Sequence, residues 1–84
     1  MTRVIDGGAD VPPYQQMAAI LREEITSGQI PPRRPVPSVT ALQQETGLAR
    51  GTIRKAIALL AAEGLVVVRP GWGTFVIPPD ERED

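Results

Sequence analysis

A chain of 84 residues has room for one small domain, and the lack of cysteine and histidine excludes disulfides, thiol chemistry, the usual zinc sites and every histidine-based catalytic arrangement. The formal net charge of −1 conceals a segregation: residues 11–77 carry seven basic side chains against four acidic ones, whereas residues 78–84 carry four acids against Arg82 alone. No apolar run approaches the ~18 residues of a bilayer span and MTRVIDGGAD offers no secretory h-region, so a cytoplasmic protein with no membrane partner is expected.

In chain order, residues 1–11 mix Gly and Asp without apolar periodicity and read as a flexible arm. A single domain is expected over 12–77, followed by an acidic disordered tail at 78–84. From Pro13, the residues Tyr14, Met17, Ala18, Leu21 and Ile25 recur at helical spacing up to the stop at Ser27-Gly28, which predicts an amphipathic first helix. The segment QIPPRRPVP has four prolines in nine residues and reads as an extended connector. Ser38 is a good N-cap for a short second helix over 39–46 that buries Leu42 and ends at Gly47. In the third helix, 50–63, Ile53, Ala56, Ile57 and Leu60 form an inward stripe, while Gly51, Arg54, Lys55, Ala58 and Ala62 occupy the opposite arc. After Gly64, LVVVR reads as a strand, PGWG as a turn and TFVI as a second strand, closed by Pro78-Pro79. The fold class is therefore mainly α with a small β-hairpin: three helices and a wing.

The third helix carries its charges the wrong way round. Arg50, Arg54 and Lys55 crowd its beginning, where the macrodipole is positive, and Glu63 stands at its negative end. Each misplacement costs roughly 0.3 to 1 kcal/mol at an exposed site. Two short helices joined through a glycine turn, the second with bases facing out, have the layout of a helix-turn-helix, whose second helix enters the major groove of DNA by its N-terminal end. A polyanion at that end offsets the misplacement. Gly51, which costs a helix up to ~1 kcal/mol against Ala, permits close backbone approach there. The competing reading of Arg54 and Lys55 is a merely solvated face.

Arg33 and Arg34 in the connector divide in the same way between phosphate contacts and solvent. Trp72, between Gly71 and Gly73 at the hairpin tip, either packs back on the third helix, inserts along a DNA backbone or minor groove, or contacts another protein. The tail DERED either aids solubility or competes with phosphate for the basic face.

These residues together resemble the winged helix-turn-helix DNA-binding domain of the GntR family of bacterial transcription regulators, over Pro12 to Val76. The matching pieces are PPYQQMAAILREEITSGQIPP, VPS with Leu42, GLARGTIRKAIALLAAEGL and RPGWGTFV. The resemblance implies a transcription regulator of repressor type. It would bind double-stranded DNA at a palindromic operator as a homodimer, with the third helix in the major groove and the wing, 70–74, at the minor groove. It further implies contacts from Arg50, Thr52 and Arg54, and from Gly71 and Gly73; Ser38, Thr40, Gly51, Lys55, Arg69, Trp72 and Thr74 complete the expected DNA-binding set with Arg33 and Arg34.

Some positions depart from the family pattern. Thr40 stands where the family usually has an arginine, Ala49 replaces a Ser or Thr cap, Gly51 replaces Thr, Gln43 replaces a small residue, and Trp72 often has a basic counterpart. Loss of a bidentate arginine removes ~1 to 3 kcal/mol of base discrimination. The chain stops seven residues after the wing, so no small-molecule effector site, cofactor, metal or catalytic activity is expected within it. The alternative function is a protein-interaction winged helix that has lost specific DNA reading.

Overall fold

A computed structural model describes residues 3–82. Helix α1, Pro13–Thr26, starts with proline in its first turn, where the backbone N–H would lack a partner anyway. It buries Met17, Ala18, Leu21 and Ile25. Helix α2, Val39–Thr46, is capped by Ser38, whose Oγ accepts the Ala41 N–H at 3.0 Å. It ends at Gly47, held at φ 76°, a left-handed conformation that favours glycine. The Thr46 hydroxyl then ties down the turn, donating to the Leu42 carbonyl at 2.7 Å and accepting from the Leu48 N–H at 3.2 Å.

Helix α3, Arg50–Ala62, is preceded by Ala49 in extended geometry with no side-chain cap, as its residue type dictates. Glu63 is its C-cap rather than its last turn. Leu65 gives its N–H to the Leu60 carbonyl at 3.1 Å. Because Leu65 closes the helix, the first strand begins one residue later than the apolar run, as β1, Val66–Arg69. β1 pairs antiparallel with β2, Gly73–Val76, in the register Val66 to Val76 through Arg69 to Gly73. Pro70-Gly71, with Gly71 at φ 79° and the Trp72 N–H on the Arg69 carbonyl at 2.9 Å, has the form of a type II turn.

The core lies where α1 crosses α3, and is completed by Leu42 from α2 and by Val66 and Val76 from the hairpin. Ile30 and Val36 of the connector also enter it. The connector is more than a spacer. Arg33 and Val36 donate to the carbonyls of Val76 and Thr74, and Val76 donates back to Arg34. Pro35 sits opposite Phe75, at an edge position where no donor is required.

Residues 3–6 of the N-terminal arm contact the body of the fold. Arg3 bonds Glu24 and Glu45, Ile5 packs on the core, and the Asp6 N–H reaches the Gln16 side chain at 2.8 Å. At the start of the tail, Pro79–Glu81 forms a single 3-10 turn and Arg82 donates to the Ile77 carbonyl at 2.9 Å. Burial of Glu24 and the proline pair at 78–79 are the physical reasons: a buried carboxylate must be paired, and consecutive prolines stiffen the chain. Glu83 and Asp84 of the tail lie outside the described residues.

Candidate nucleic-acid interface

Inward burial of Ile53, Ala56, Ile57 and Leu60 fixes the rotation of α3, so that Arg50, Gly51, Arg54, Lys55, Ala58 and Ala62 are exposed. Thr52 is half-buried. At about 100° per residue, Thr52 points some 200° away from Arg50, on the other flank of the helix. Gly51 lies midway between the flanks on the outward arc, with Arg54 and Lys55 to either side of it.

Arg50 leans toward α2, where its Nη1 donates to Thr40 Oγ1 at 3.1 Å and to Gln43 Oε1 at 3.4 Å. Lys55 turns the other way and sets its ammonium 4.2 Å from the centroid of the Tyr14 ring on α1. Thr40 therefore engages Arg50, and Lys55 is occupied by an aromatic face, an attraction of roughly 0.5 to 1 kcal/mol at an exposed site. The family pattern places Gln43 at the contact between the two helices, but nothing in the sequence indicates Tyr14 as the partner of Lys55. Helical spacing on one element says nothing about which residue of another it meets.

The carboxylates are distributed to leave this end positive. Among the described residues, ion pairs join Arg3 to Glu24 and Glu45, Arg22 to Glu63, and Arg33 to Glu81. None involves Arg34, Arg50, Arg54, Lys55 or Arg69. Glu63, the acid at the unfavourable end of α3, is neutralised from α1. The Arg22 guanidinium bonds both its oxygens, at 2.8 and 2.6 Å, and holds its carboxyl below the ordinary range. The reversed charge pattern of α3 is thus corrected at its C-terminus and left uncorrected at its N-terminus.

The wing adds a second exposed element. Trp72 is 84% exposed, so it does not pack back on α3 as an indole seeking a core would. It stands between two grooves. One, of about 410 Å³, runs over Ile57 between the start of α2 and the wing, and brings Ser38, Trp72, Gly73 and Thr74 together. The other, of about 580 Å³, lies on the outer wing face, where Arg33 and Arg69 flank Phe75 and Glu81 approaches Arg33. Arg33 and Arg69 are hence grouped with each other rather than with Ser38 and Thr74. Arg34 is exposed. Ser38 accepts a backbone N–H as a cap and keeps its hydroxyl proton for an outside acceptor.

Among the described residues no group of His, Cys, Asp and Glu is placed to hold a metal ion, and no helix is long and apolar enough to cross a membrane.

The family model of bacterial regulatory proteins, gntR family, matches residues 13–76. The chain is 38% identical over 76 residues to the histidine utilization repressor of Pseudomonas putida, covering 90% of this chain and 31% of that protein. It is 35% identical over 75 residues to the transcriptional repressor NagR of Bacillus subtilis, covering 89% and 31%. The chain thus spans about a third of the length of these curated relatives. Among solved structures it superposes on the DNA-binding domain of AraR in complex with operator ORE1 with a TM-score of 0.85 and 34% identity, over 90% of this chain and 99% of that one. The match to YtrA from Sulfolobus acidocaldarius, a GntR-family transcription factor, has a TM-score of 0.84 and 29% identity, over 93% and 82% of the two chains.

Proposed function

Since the chain belongs to the gntR family of bacterial regulatory proteins, we propose that it is a sequence-specific reader of double-stranded DNA in a cytoplasmic transcription regulator of repressor type. The observation that carries this reading is the uncompensated positive charge at the start of α3, where Arg50 and Arg54 have no carboxylate partner among the described residues although the other end of the helix has been neutralised.

In this reading α3 enters the major groove by its N-terminal end. Arg50 addresses base edges, Arg54 addresses bases or phosphate, and Gly51 keeps the backbone close. The hydroxyl proton of Ser38 and the cation of Arg34 meet phosphates, which position the domain without specifying sequence. The wing tip, Pro70 to Thr74, lies at the minor groove with Arg69 beside it, and Trp72 supplies an apolar wedge or a sugar contact. One such module buries only ~600 to 1,000 Å² on DNA, so pairing of two copies on a palindromic operator supplies the rest of the affinity. No catalytic step belongs to this site, and effector binding falls to whatever lies beyond this domain in proteins of the relatives' length.

The test is selection of bound duplexes from a randomised library, followed by a salt titration on the best sequence. A log-log slope of about −0.9 per neutralised phosphate gives about −3 for Arg34, Arg54 and Arg69 each meeting one phosphate. Arg34→Ala should then make the slope shallower by about 0.9. A flat salt response, or no sequence enriched over the input library, overturns the reading. The exposed Trp72 favours a second reading, a protein-docking wing. It requires that Trp72→Ala abolish capture of a partner while Arg50→Ala leaves capture intact.

A further inference from the structure

We propose that Thr40 and Gln43 are positioning residues that hold Arg50 for recognition of guanine, and so set the strength of discrimination at one base pair. The inference deepens the DNA-reading assignment of α3 and rests on it.

Thr40 and Gln43 are three residues apart on α2 and therefore share a face. That face meets the guanidinium of Arg50 across the turn. The two N–H groups of Nη1 are taken up by Thr40 Oγ1 at 3.1 Å and Gln43 Oε1 at 3.4 Å. Among the described residues, none takes the protons of Nε and Nη2. These two atoms form one straight edge of the guanidinium fork, the edge that matches the paired acceptors N7 and O6 of guanine in the major groove. An arginine side chain loses substantial rotamer freedom when it is fixed, and a fork already held by its neighbours loses less on binding.

The chemistry of the two partners matters as much as their position. Each of the other arginines with a side-chain partner, Arg3, Arg22 and Arg33, is bound by a carboxylate, which consumes its charge. Arg50 is held by a hydroxyl and an amide, which orient it and leave its charge whole. A neutral clamp suits a residue whose task is to meet an anionic ligand; a carboxylate clamp would have to be broken first.

The test uses the whole chain and the duplex it selects from a random library. The affinity for that duplex is divided by the affinity for variants changed at each single base pair. Thr40→Val keeps the side-chain shape and removes the acceptor. It should lower the ratio about five-fold at one G·C position, the value of one net hydrogen bond, and leave the ratios at the other positions as they were. Thr40→Ser restores the acceptor and should restore the ratio. Gln43→Met should lower the ratio at the same base pair. Unchanged ratios in Thr40→Val, or Thr40→Ser falling as far as Thr40→Val, overturn this inference alone. A wild-type chain that selects no sequence overturns the DNA reading and this inference together.

Discussion

Arg3 reaches from the N-terminal arm to Glu24 on α1, a carboxylate only 3% exposed, and closes an ion pair of 2.7 Å across 21 residues of sequence. The other nitrogen of the same guanidinium holds both oxygens of Glu45 on α2 at 2.8 Å. One side chain thereby ties together the two helices that flank α3. Removing one partner of such a pair leaves a buried charge uncompensated, at a cost of about 3 kcal/mol. Arg3→Ala should accordingly unfold at lower urea, with the melting temperature lower by more than about 10 °C for a domain of this size. Equal midpoints for wild type and variant in urea would mean that the arm contributes nothing to the fold.

Ala49 holds the backbone of an N-cap, φ −64° and ψ 149°, without a side chain that can serve as one. Ala49→Ser supplies an oxygen for an unsatisfied N–H of the first turn of α3. Stability in the absence of DNA should rise by about 1 kcal/mol, read as an increased denaturation midpoint with an unchanged slope against urea. A fall in the midpoint would place some other acceptor at the start of this helix.

Glu63 and Arg22 predict a pH dependence with a definite sign. The two hydrogen bonds from Arg22 hold the Glu63 carboxyl below its ordinary 4.5, so the folded state binds that proton less readily than the unfolded chain. The contribution is complete above about pH 4.5, the ordinary value, and is lost as pH falls through the depressed one. Both side chains are about a third exposed, 37% and 34%, and solvent screening limits the pair to roughly 0.2 to 1 kcal/mol. The stability difference between wild type and Arg22→Met should be constant from pH 6 to 8 and shrink on acidification. A difference that grows toward low pH would contradict the assignment.

Trp72 is the sole tryptophan of the chain and is 84% exposed. Its emission should be that of a hydrated indole in the free protein, and should be quenched or shifted to shorter wavelength when the selected duplex is added. Trp72→Ala should leave the unfolding midpoint within about 0.5 kcal/mol, as expected of an exposed site, and weaken binding to the duplex. Binding with no change in emission would take the wing tip away from the DNA.

The elements of this fold were legible in the sequence because their causes are local. Helical spacing of Met17, Ala18, Leu21 and Ile25, the cap at Ser38, the left-handed Gly47 and the Pro70-Gly71 turn each act over a few residues, and each was found where the pattern placed it. The outward arc of α3 follows from its inward stripe by the same rule. The apolar run starts the first strand one residue early, since it does not reveal that Leu65 spends its N–H on the helix before it.

The sequence by itself determined three helices, a hairpin and a positively charged start to the third helix, since periodicity, capping and the helix dipole are properties of contiguous chain. Only the tertiary structure decided which charges remain free. Arg3 finds Glu24, Arg22 finds Glu63, Arg33 finds Glu81, Lys55 finds Tyr14 and Arg50 finds Thr40 and Gln43. Apart from Arg50 and its partners, these residues lie far apart along the chain, and even Arg50 meets α2 only because packing sets the angle between two helices. Coulomb attraction and hydrogen bonding act over a few ångströms of space, and a linear string of residues does not contain those distances.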